Sequence, residues 1–398
     1  MALLEAGGRN VGDVIAAAVA KMLSQGASDQ TEASRQTAIS PQVLAYDALY
    51  RCAGLGAYTV KQHFDFQDWF EAVLAPALEA LDATMRARER QVPSGAPPLI
   101  LQRRLMWLLG CWAEQIPPPL RPHIVQATGN IIKAKGADVV VQLAALNALH
   151  SLLSLWDLDV SQCLAPALGW LLPALYGMFD DVKEMDSRQQ VLTVMSELME
   201  RSGQLLAPHC QAAVAGLPKV WLATASQTPL RCACLQMMTH VVGALGSNKG
   251  PDLERAALTM IDVATNVGSD ESIYLMEAGL ELWLALLRHL SEYGETVHKL
   301  FPRIAEMLRS DLDYLKQAML IMEAYVVIGG TVFLQDHGSL VCVCFNRVVG
   351  QVKPQGAAFV SRALDSLLRK FPADSSRMLA EGGVIRQVKQ RFGEQHSN

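Results

Sequence analysis

The chain has 398 residues, 51% of them hydrophobic and only 6% aromatic, with a formal charge of −5. That is ample apolar material for a large core, and the dominance of Leu and Ala favours helix over strand. The mild acidity, with a pI near 6.0, counts against direct nucleic-acid binding and suits a basic protein partner.

The opening MALLEAGGRNVGDVIAAAVAKML does not read as a secretory leader, because Glu5 precedes any basic residue and the apolar run Val14–Ala20 is short. Residues 12–23 predict a short helix, and the small, polar stretch 24–40 predicts a flexible linker, so 1–40 stand apart from a repeat domain over 41–398. Helices are expected at Pro41–Leu55 and Phe66–Leu81. The charged, then Pro/Gly-rich Arg86–Pro98 reads as a loop.

The stretch from Leu101 to Leu153 organises the rest. It predicts a helix over Arg103–Glu114, ended by the three prolines of Ile116–Leu120. A second helix over Arg121–Lys135 has Pro122 in its first turn and is closed by Gly136. A third is capped by Asp138 and repeats Val141, Ala144, Ala145, Ala148, Leu149 and Leu152 at helical spacing. Asp, Val, paired Ala and Leu in this order resemble the second helix of a HEAT repeat, with Gln142 where that pattern has Arg. Such a hairpin cannot bury its apolar face alone, so hairpins stack.

Further helices are expected near 160–178, 185–203, 207–224, 229–245, 251–267, 272–291, 296–309, 312–328, 332–350, 355–371 and 376–391; Leu340–Val349 is the best strand exception, and helix is still favoured there. Prolines that open or interrupt a first helix fall at Pro122, Pro166, Pro208, Pro251, Pro302 and Pro354. Their separations of 44, 42, 43, 51 and 52 residues start at the length of a HEAT unit and then imply longer loops or helices. The fold class expected is all-α: an α-solenoid, or superhelix, of HEAT repeats built from antiparallel helix pairs.

Catalytic and cofactor motifs are lacking. Gly329-Gly330 and Gly382-Gly383 have neither the Lys-Ser/Thr nor the strand that phosphate loops need, and read as helix ends or breaks. No catalytic residue, cofactor or metal is expected. Eight scattered cysteines read as buried thiols in a reducing compartment, and Cys232-x-Cys234 and Cys342-x-Cys344 are too closely spaced for zinc. His209-Cys210 reads as structural. Val160–Phe179 carries no charge and is long enough to span a bilayer, but Pro166 and Pro173 interrupt it and aspartates flank it, so a buried repeat helix is expected and no membrane insertion. Trp107, Trp112, Trp156, Trp170, Trp221 and Trp283 lie in apolar helical contexts and read as core, with exposed aromatic grooves as the functional alternative.

Two acidic groups are the candidate cargo-binding residues. Asp180, Asp181, Glu184 and Asp186 are placed in the loop before a helix, where capping is the simpler role and a surface for basic cargo the functional one. Glu277 and Glu281 fall four apart on one helix face, a spacing at which like charges are mildly unfavourable unless a partner compensates.

RRLMWLLGCW (Arg103–Trp112) followed by LRPHIVQA (Leu120–Ala127) resembles the importin-beta (karyopherin-beta) family, in its importin-11 branch. DFQDWFEAVLAPAL (Asp65–Leu78), TPLRCACLQMMTHVVGALG (Thr228–Gly246) and YLMEAGLELWLALL (Tyr274–Leu287) agree in order and spacing, so that the resemblance covers about residues 41–392. It implies a non-enzymatic HEAT superhelix that carries protein cargo into the nucleus, with cargo on the inner surface and phenylalanine-glycine (FG) nucleoporins on the outer. The implied location is cytoplasm and nucleus, at the nuclear pore. Ran in its GTP form regulates such receptors through an N-terminal region upstream of anything this sequence matches. The chain therefore resembles a middle-to-C-terminal portion, and Ran binding depends on the missing arm. A cytosolic HEAT scaffold for a protein complex is the alternative that composition alone leaves open.

Overall fold

The computed structural model describes residues 8–25, 30, 39–63, 65–89, 98–225, 227–290 and 292–393. Among them every regular element is helical and no strand occurs. The chain divides into two compact units, Met1–Gly216 and Leu217–Asn398.

The first unit contains α1 (Gly8–Gln25), α2 (Pro41–Leu55), α3 (Ala57–Val60), α4 (Phe66–Trp69), α5 (Ala75–Glu89), α6 (Leu99–Cys111), α7 (Arg121–Lys133), α8 (Val139–Leu153), α9 (Val160–Cys163), α10 (Leu168–Asp181), α11 (Met185–Ser202) and α12 (Cys210–Ala215). Its helices form two rows. In one, α2 packs on α6, α6 on α8 and α8 on α11; in the other, α5 packs on α7, α7 on α10 and α10 on α12. The hairpins α7–α8 and α10–α11 tie the rows together.

The second unit contains α13 (Leu217–Ala223), α14 (Thr228–Leu245), α15 (Pro251–Ala264), α16 (Ser272–Arg288), α17 (Glu295–Leu300), α18 (Pro302–Ser310), α19 (Leu315–Gln351), α20 (Pro354–Lys370), α21 (Pro372–Glu381) and α22 (Val384–Gly393). It repeats the plan: α14 packs on α16, α16 on α19 and α19 on α20, while α15 and α18 back them. These stacked pairs are the HEAT-type solenoid fold.

Local chemistry sets the element starts. Ser40 caps α2 by accepting from Val43 N, Asp138 caps α8 from Val140 N, and Asp159 caps α9 from Gln162 N. Proline stands in the first turn of α2, α7, α14, α15, α18, α20 and α21, where its missing N–H has no helical partner to lose. From α6 onward the second helices of the pairs, α6, α8, α11, α14, α16, α19 and α20, start 40, 46, 43, 44, 43 and 39 residues apart, the length of a HEAT pair. The proline ruler drifts for a visible reason. The helix pair opened by Pro251, α15 and α16, is followed by an extra short helix, α17, before Pro302, and Pro354 opens a second helix where the earlier prolines belong to first helices.

Several boundaries differ from the sequence reading. Helix α5 runs to Glu89, so Arg86–Glu89 are helical, and residues 90–97 lie outside the described part. The expected Phe66–Leu81 helix carries a π-turn at Phe70–Leu74. The expected 207–224 helix is a 3₁₀ run followed by α12 and α13, and 376–391 breaks into α21 and α22 at Gly382-Gly383. α19 is two helices joined at Gly330, whose φ of +57° no side-chain-bearing residue adopts readily. Most of the expected linker 24–40 lies outside the described residues. Gln30 is described and buried: its amide donates to Leu23 O at 2.7 Å and accepts from Trp69 Nε1 at 3.2 Å.

The uncharged Val160–Phe179 stretch is α9, a turn and most of α10, with Leu168, Leu171, Leu172, Leu175 and Phe179 buried in the first unit. The described helix long and apolar enough to cross a membrane is α19, half buried and bent at Gly330.

Gln142 shows how the hairpin is closed. It is buried on α8, and its amide nitrogen donates to Ile132 O at 3.0 Å, Ala134 O at 3.3 Å and Ile131 O at 3.5 Å. Ile131 O also accepts from Ala134 N and Ala134 O from Ala137 N, each at 3.2 Å, so it is Ile132 O, in the last turn of α7, that has no backbone donor. The Gln142→Leu variant should therefore lose about 1–3 kcal/mol of unfolding free energy, the cost of leaving the buried Ile132 acceptor bare. Urea denaturation followed by circular dichroism measures it, and an unchanged midpoint would contradict the capping role.

Candidate functional site

The exposed sides of the helix rows are where a binding function has to lie, because the buried chemistry is spent on packing. The buried thiols Cys234 and Cys344 have pKa values pushed up to about 12 by burial, so they stay protonated and unreactive. Cys342 Sγ donates to Met378 O and Cys210 Sγ to Leu206 O, each at 3.4 Å. Among the described residues no three His, Cys, Asp or Glu side chains converge as a metal set.

Asp180, Asp181, Glu184 and Asp186 are all exposed, but not as a single loop. Asp180 and Asp181 are the last residues of α10, Glu184 is the N-cap position of α11 without a side-chain capping bond, and Asp186 lies in its first turn. The first two therefore sit at the negative end of a helix dipole, where carboxylates are unfavourable, and only the latter two gain from a positive end. Lys183 Nζ donates to Asp180 O at 2.9 Å, and Arg188 donates to Val182 O while lying over the Phe179 ring.

Glu277 and Glu281 are exposed on α16, in the other unit. Burial and the neighbouring Glu277 raise the Glu281 carboxyl above its ordinary pKa. The Tyr314 phenol is raised by burial and then by Glu277, Asp311 and Asp313. Asp311, Asp313 and Tyr314 thus extend the acidic neighbourhood. Sequence spacing could not find them, because they lie in a turn some thirty residues on.

The tryptophans divide. Trp112 and Trp283 are fully buried, Trp107, Trp170 and Trp221 are half-buried, and Trp156 is 91% exposed in the turn after α8. The core expectation for Trp156 is corrected: its neighbours Leu155 and Leu158 take the inward positions of that turn.

A second cluster escaped the sequence altogether. His298 and His337 stack at 4.3 Å beside Phe301, Phe333, Tyr325 and Tyr293. Tyr293 Oη lies 3.0 Å from His298 Nδ1, and His298 Nε2 lies 3.5 Å from Asp336. His337 Nε2 donates to His298 O at 3.1 Å. The histidines are 39 residues apart, one repeat, so only stacking brings them together. Burial first, then His298, lowers the His337 pKa from its ordinary 6.5. An imidazole whose folded pKa is depressed stabilises the fold above the unfolded value and loses that contribution as pH falls below it. Thermal unfolding at pH 7.5 and 5.5 should show a larger acid loss for the native chain than for His337→Gln; equal losses would refute the assignment.

Comparison with known proteins fits this geometry. The family described as "Importin-11-like, TPR repeats" matches residues 232–396. The chain is similar to importin-11 of Mus musculus, 27% identical over 337 residues, covering 84% of this chain and 33% of that protein. To importin-11 of Homo sapiens it is 28% identical, covering 83% and 32%. To the importin beta-like protein kap113 of Schizosaccharomyces pombe it is 21% identical, covering 84% and 33%. The chain thus spans about a third of the length of the curated relatives it matches. A solved structure of Lph2, described as a bidirectional nuclear transport receptor in S. cerevisiae, superposes with a TM-score of 0.77 over 92% of this chain and 37% of that one; at 19% identity this likeness speaks for the fold. The repeat spacing near 43 residues is that of HEAT pairs; the TPR repeat of the family description is shorter, about 34. The chain thus resembles importin-11 and, more distantly, the importin beta-like kap113.

Proposed function

We propose that this chain is the cargo- and nucleoporin-binding portion of an importin/karyopherin-beta nuclear transport receptor, working between cytoplasm and nucleus without chemistry of its own. The observation that carries the reading is the similarity to importin-11 along 84% of the chain, on a stack of HEAT-length helix pairs. The mechanism is differential binding. Cargo is held in the cytoplasm, and Ran·GTP, acting with an N-terminal arm, weakens that hold in the nucleus. FG repeats engage apolar grooves between neighbouring helices weakly enough to exchange fast.

Among the candidate cargo residues, Glu277 and Glu281 are the better placed for a basic segment. They project from a row helix and are joined by the charges around Tyr314. Asp180, Asp181, Glu184 and Asp186 lie instead at the turn between α10 and α11. Charge reversal to Glu277→Lys and Glu281→Lys should weaken binding of a Lys/Arg-rich cargo peptide about tenfold and flatten its salt dependence. Binding unchanged in both variants would remove these residues from the site.

The transport reading itself is tested by passing the purified chain over immobilised phenylalanine-glycine repeats and over the same repeats with Phe replaced by Ser. Retention on the first and not on the second is expected. A folded, helical chain retained by neither would favour a cytosolic scaffold built on the same repeats.

A further inference from the structure

Where α2, α6 and α8 lie side by side in the first unit they enclose a groove of about 470 Å³. Arg51, Leu55, Arg103, Trp107, Val140 and Asn147 line it. Leu55 is 45% exposed and Val140 51%, apolar surface left to water.

The charge of this surface is unlike that of the whole chain. α2, α6 and α8 carry three arginines and a single carboxylate, Asp47. Arg104 holds both oxygens of that carboxylate, at 2.8 and 3.2 Å, with the pair mostly buried. Asp138, just before α8, is committed to Val140 N, and Glu197 on the neighbouring α11 is taken by His150 at 2.9 Å. Arg51 and Arg103 are therefore exposed cations with no ion pair or hydrogen bond among the described residues. Of the three arginines on these helices, Arg104 is spent on Asp47 and two remain for a ligand.

The groove is also rigid. A Cβ at Gly54 would lie 2.4 Å from the Trp107 ring, so the indole rests directly on the bare backbone of α2. The Arg104 guanidinium lies 5.0 Å from the same ring. An aromatic wall held in this way loses little freedom when a ligand covers it.

We propose that this groove docks an acidic peptide segment of a partner protein. An apolar side chain of the segment sits against Trp107, Leu55 and Val140, its carboxylates meet Arg51 and Arg103, and the Asn147 amide nitrogen, whose Oδ1 already accepts from Gln190, donates to its backbone. Guanidinium forks suit carboxylates, and pairs at a groove's rim set orientation and on-rate while the apolar contact holds the complex. A nucleic acid is the poorer fit. Two free cations around an apolar floor do not track a phosphate backbone, which needs many. This ligand is of opposite charge to the basic cargo proposed for Glu277 and Glu281, and the assignment stands independently of the transport reading.

The test uses the full chain and a fluorescein-labelled synthetic peptide of about twelve residues alternating Glu with Leu, followed by fluorescence anisotropy at low and physiological salt. Saturable binding is expected, weakened about tenfold by each of Arg51→Glu and Arg103→Glu and more by both. Both residues are exposed, so circular dichroism and thermal unfolding should match the native chain. Val140→Asp, equally exposed, should weaken the same peptide by removing the apolar seat. Replacing Glu by Gln, or Leu by Ser, in the peptide should abolish binding. No binding of the acidic peptide, or binding indifferent to these substitutions, overturns the proposal. So does a single-stranded RNA oligomer that binds more tightly than the peptide and is released by the same arginine reversals.

Discussion

Helix ends are the constraint on which this architecture depends. Every α-helix finishes with carbonyls that have no donor inside the helix, and a fold made almost wholly of short helices has many such ends to satisfy. Here long side chains from elsewhere in the stack do it. Arg121 donates to Ile116 O and reaches Asp157 O; Arg201 reaches Leu155 O; Lys249 reaches His289 O. Arg347 donates to Leu308 O at 3.3 Å and Arg309 O at 3.2 Å, and Arg391 to Gly350 O at 2.7 Å and Val352 O at 2.8 Å. Several of these bonds span about one repeat, from 36 residues for Arg121 to 46 for Arg201. They therefore fix the register of one hairpin on the next, which apolar packing alone leaves free to slide. Gln142 does the same job within a hairpin, through a shorter side chain reaching three carbonyls of the helix before it.

This explains what was legible in the sequence. The all-helical class, the Pro41–Leu55 helix and the hairpin of α7 and α8 rest on nearest-neighbour rules: Ser40 and Asp138 as caps, proline in first turns, apolar residues at helical spacing. Those rules act within a few residues and can be read directly. The breaks were harder. Gly330 and Gly383 were recognisable as punctuation, yet the split of the last helix into α21 and α22 depends on a left-handed Gly383 with φ +81° that no periodicity announces. Charges after an apolar run predict a loop at Asp180 and Asp181; α10 instead continues through them and is capped at Val182, whose side chain turns inward.

The candidate sites were the least legible part, and for one physical reason. In a stack of repeats, neighbours in space are about forty residues apart in sequence. His298 meets His337 across 39 residues, Arg231 meets Glu271 across 40, and Arg362 meets Glu323 across 39. Spacing arguments look three or four residues away and see none of these. Trp156 failed the other way: its local pattern is that of a core residue, but in this turn Leu155 and Leu158 occupy the inward positions and the indole is left in water.

Because each hairpin is stabilised by its immediate neighbours, the exposed side of a row is free to vary without endangering the stack. The two units use that freedom in opposite ways. On α2, α6 and α8 the one carboxylate is buried against Arg104, and two arginines beside an apolar groove have no partner among the described residues. On α16 and the turn before α19, Glu277 helps raise the Glu281 carboxyl, and Glu277, Asp311 and Asp313 together help raise the Tyr314 phenol. Like charges four apart on a helix are mildly destabilising and exposed arginines without partners add nothing to the fold, so neither arrangement is explained by folding stability. Both are what a binding surface needs: unspent charge of one sign, beside something apolar, on a scaffold that does not have to move to present it. The helix rows supply the scaffold, and the choice of side chains along them decides what each unit can hold.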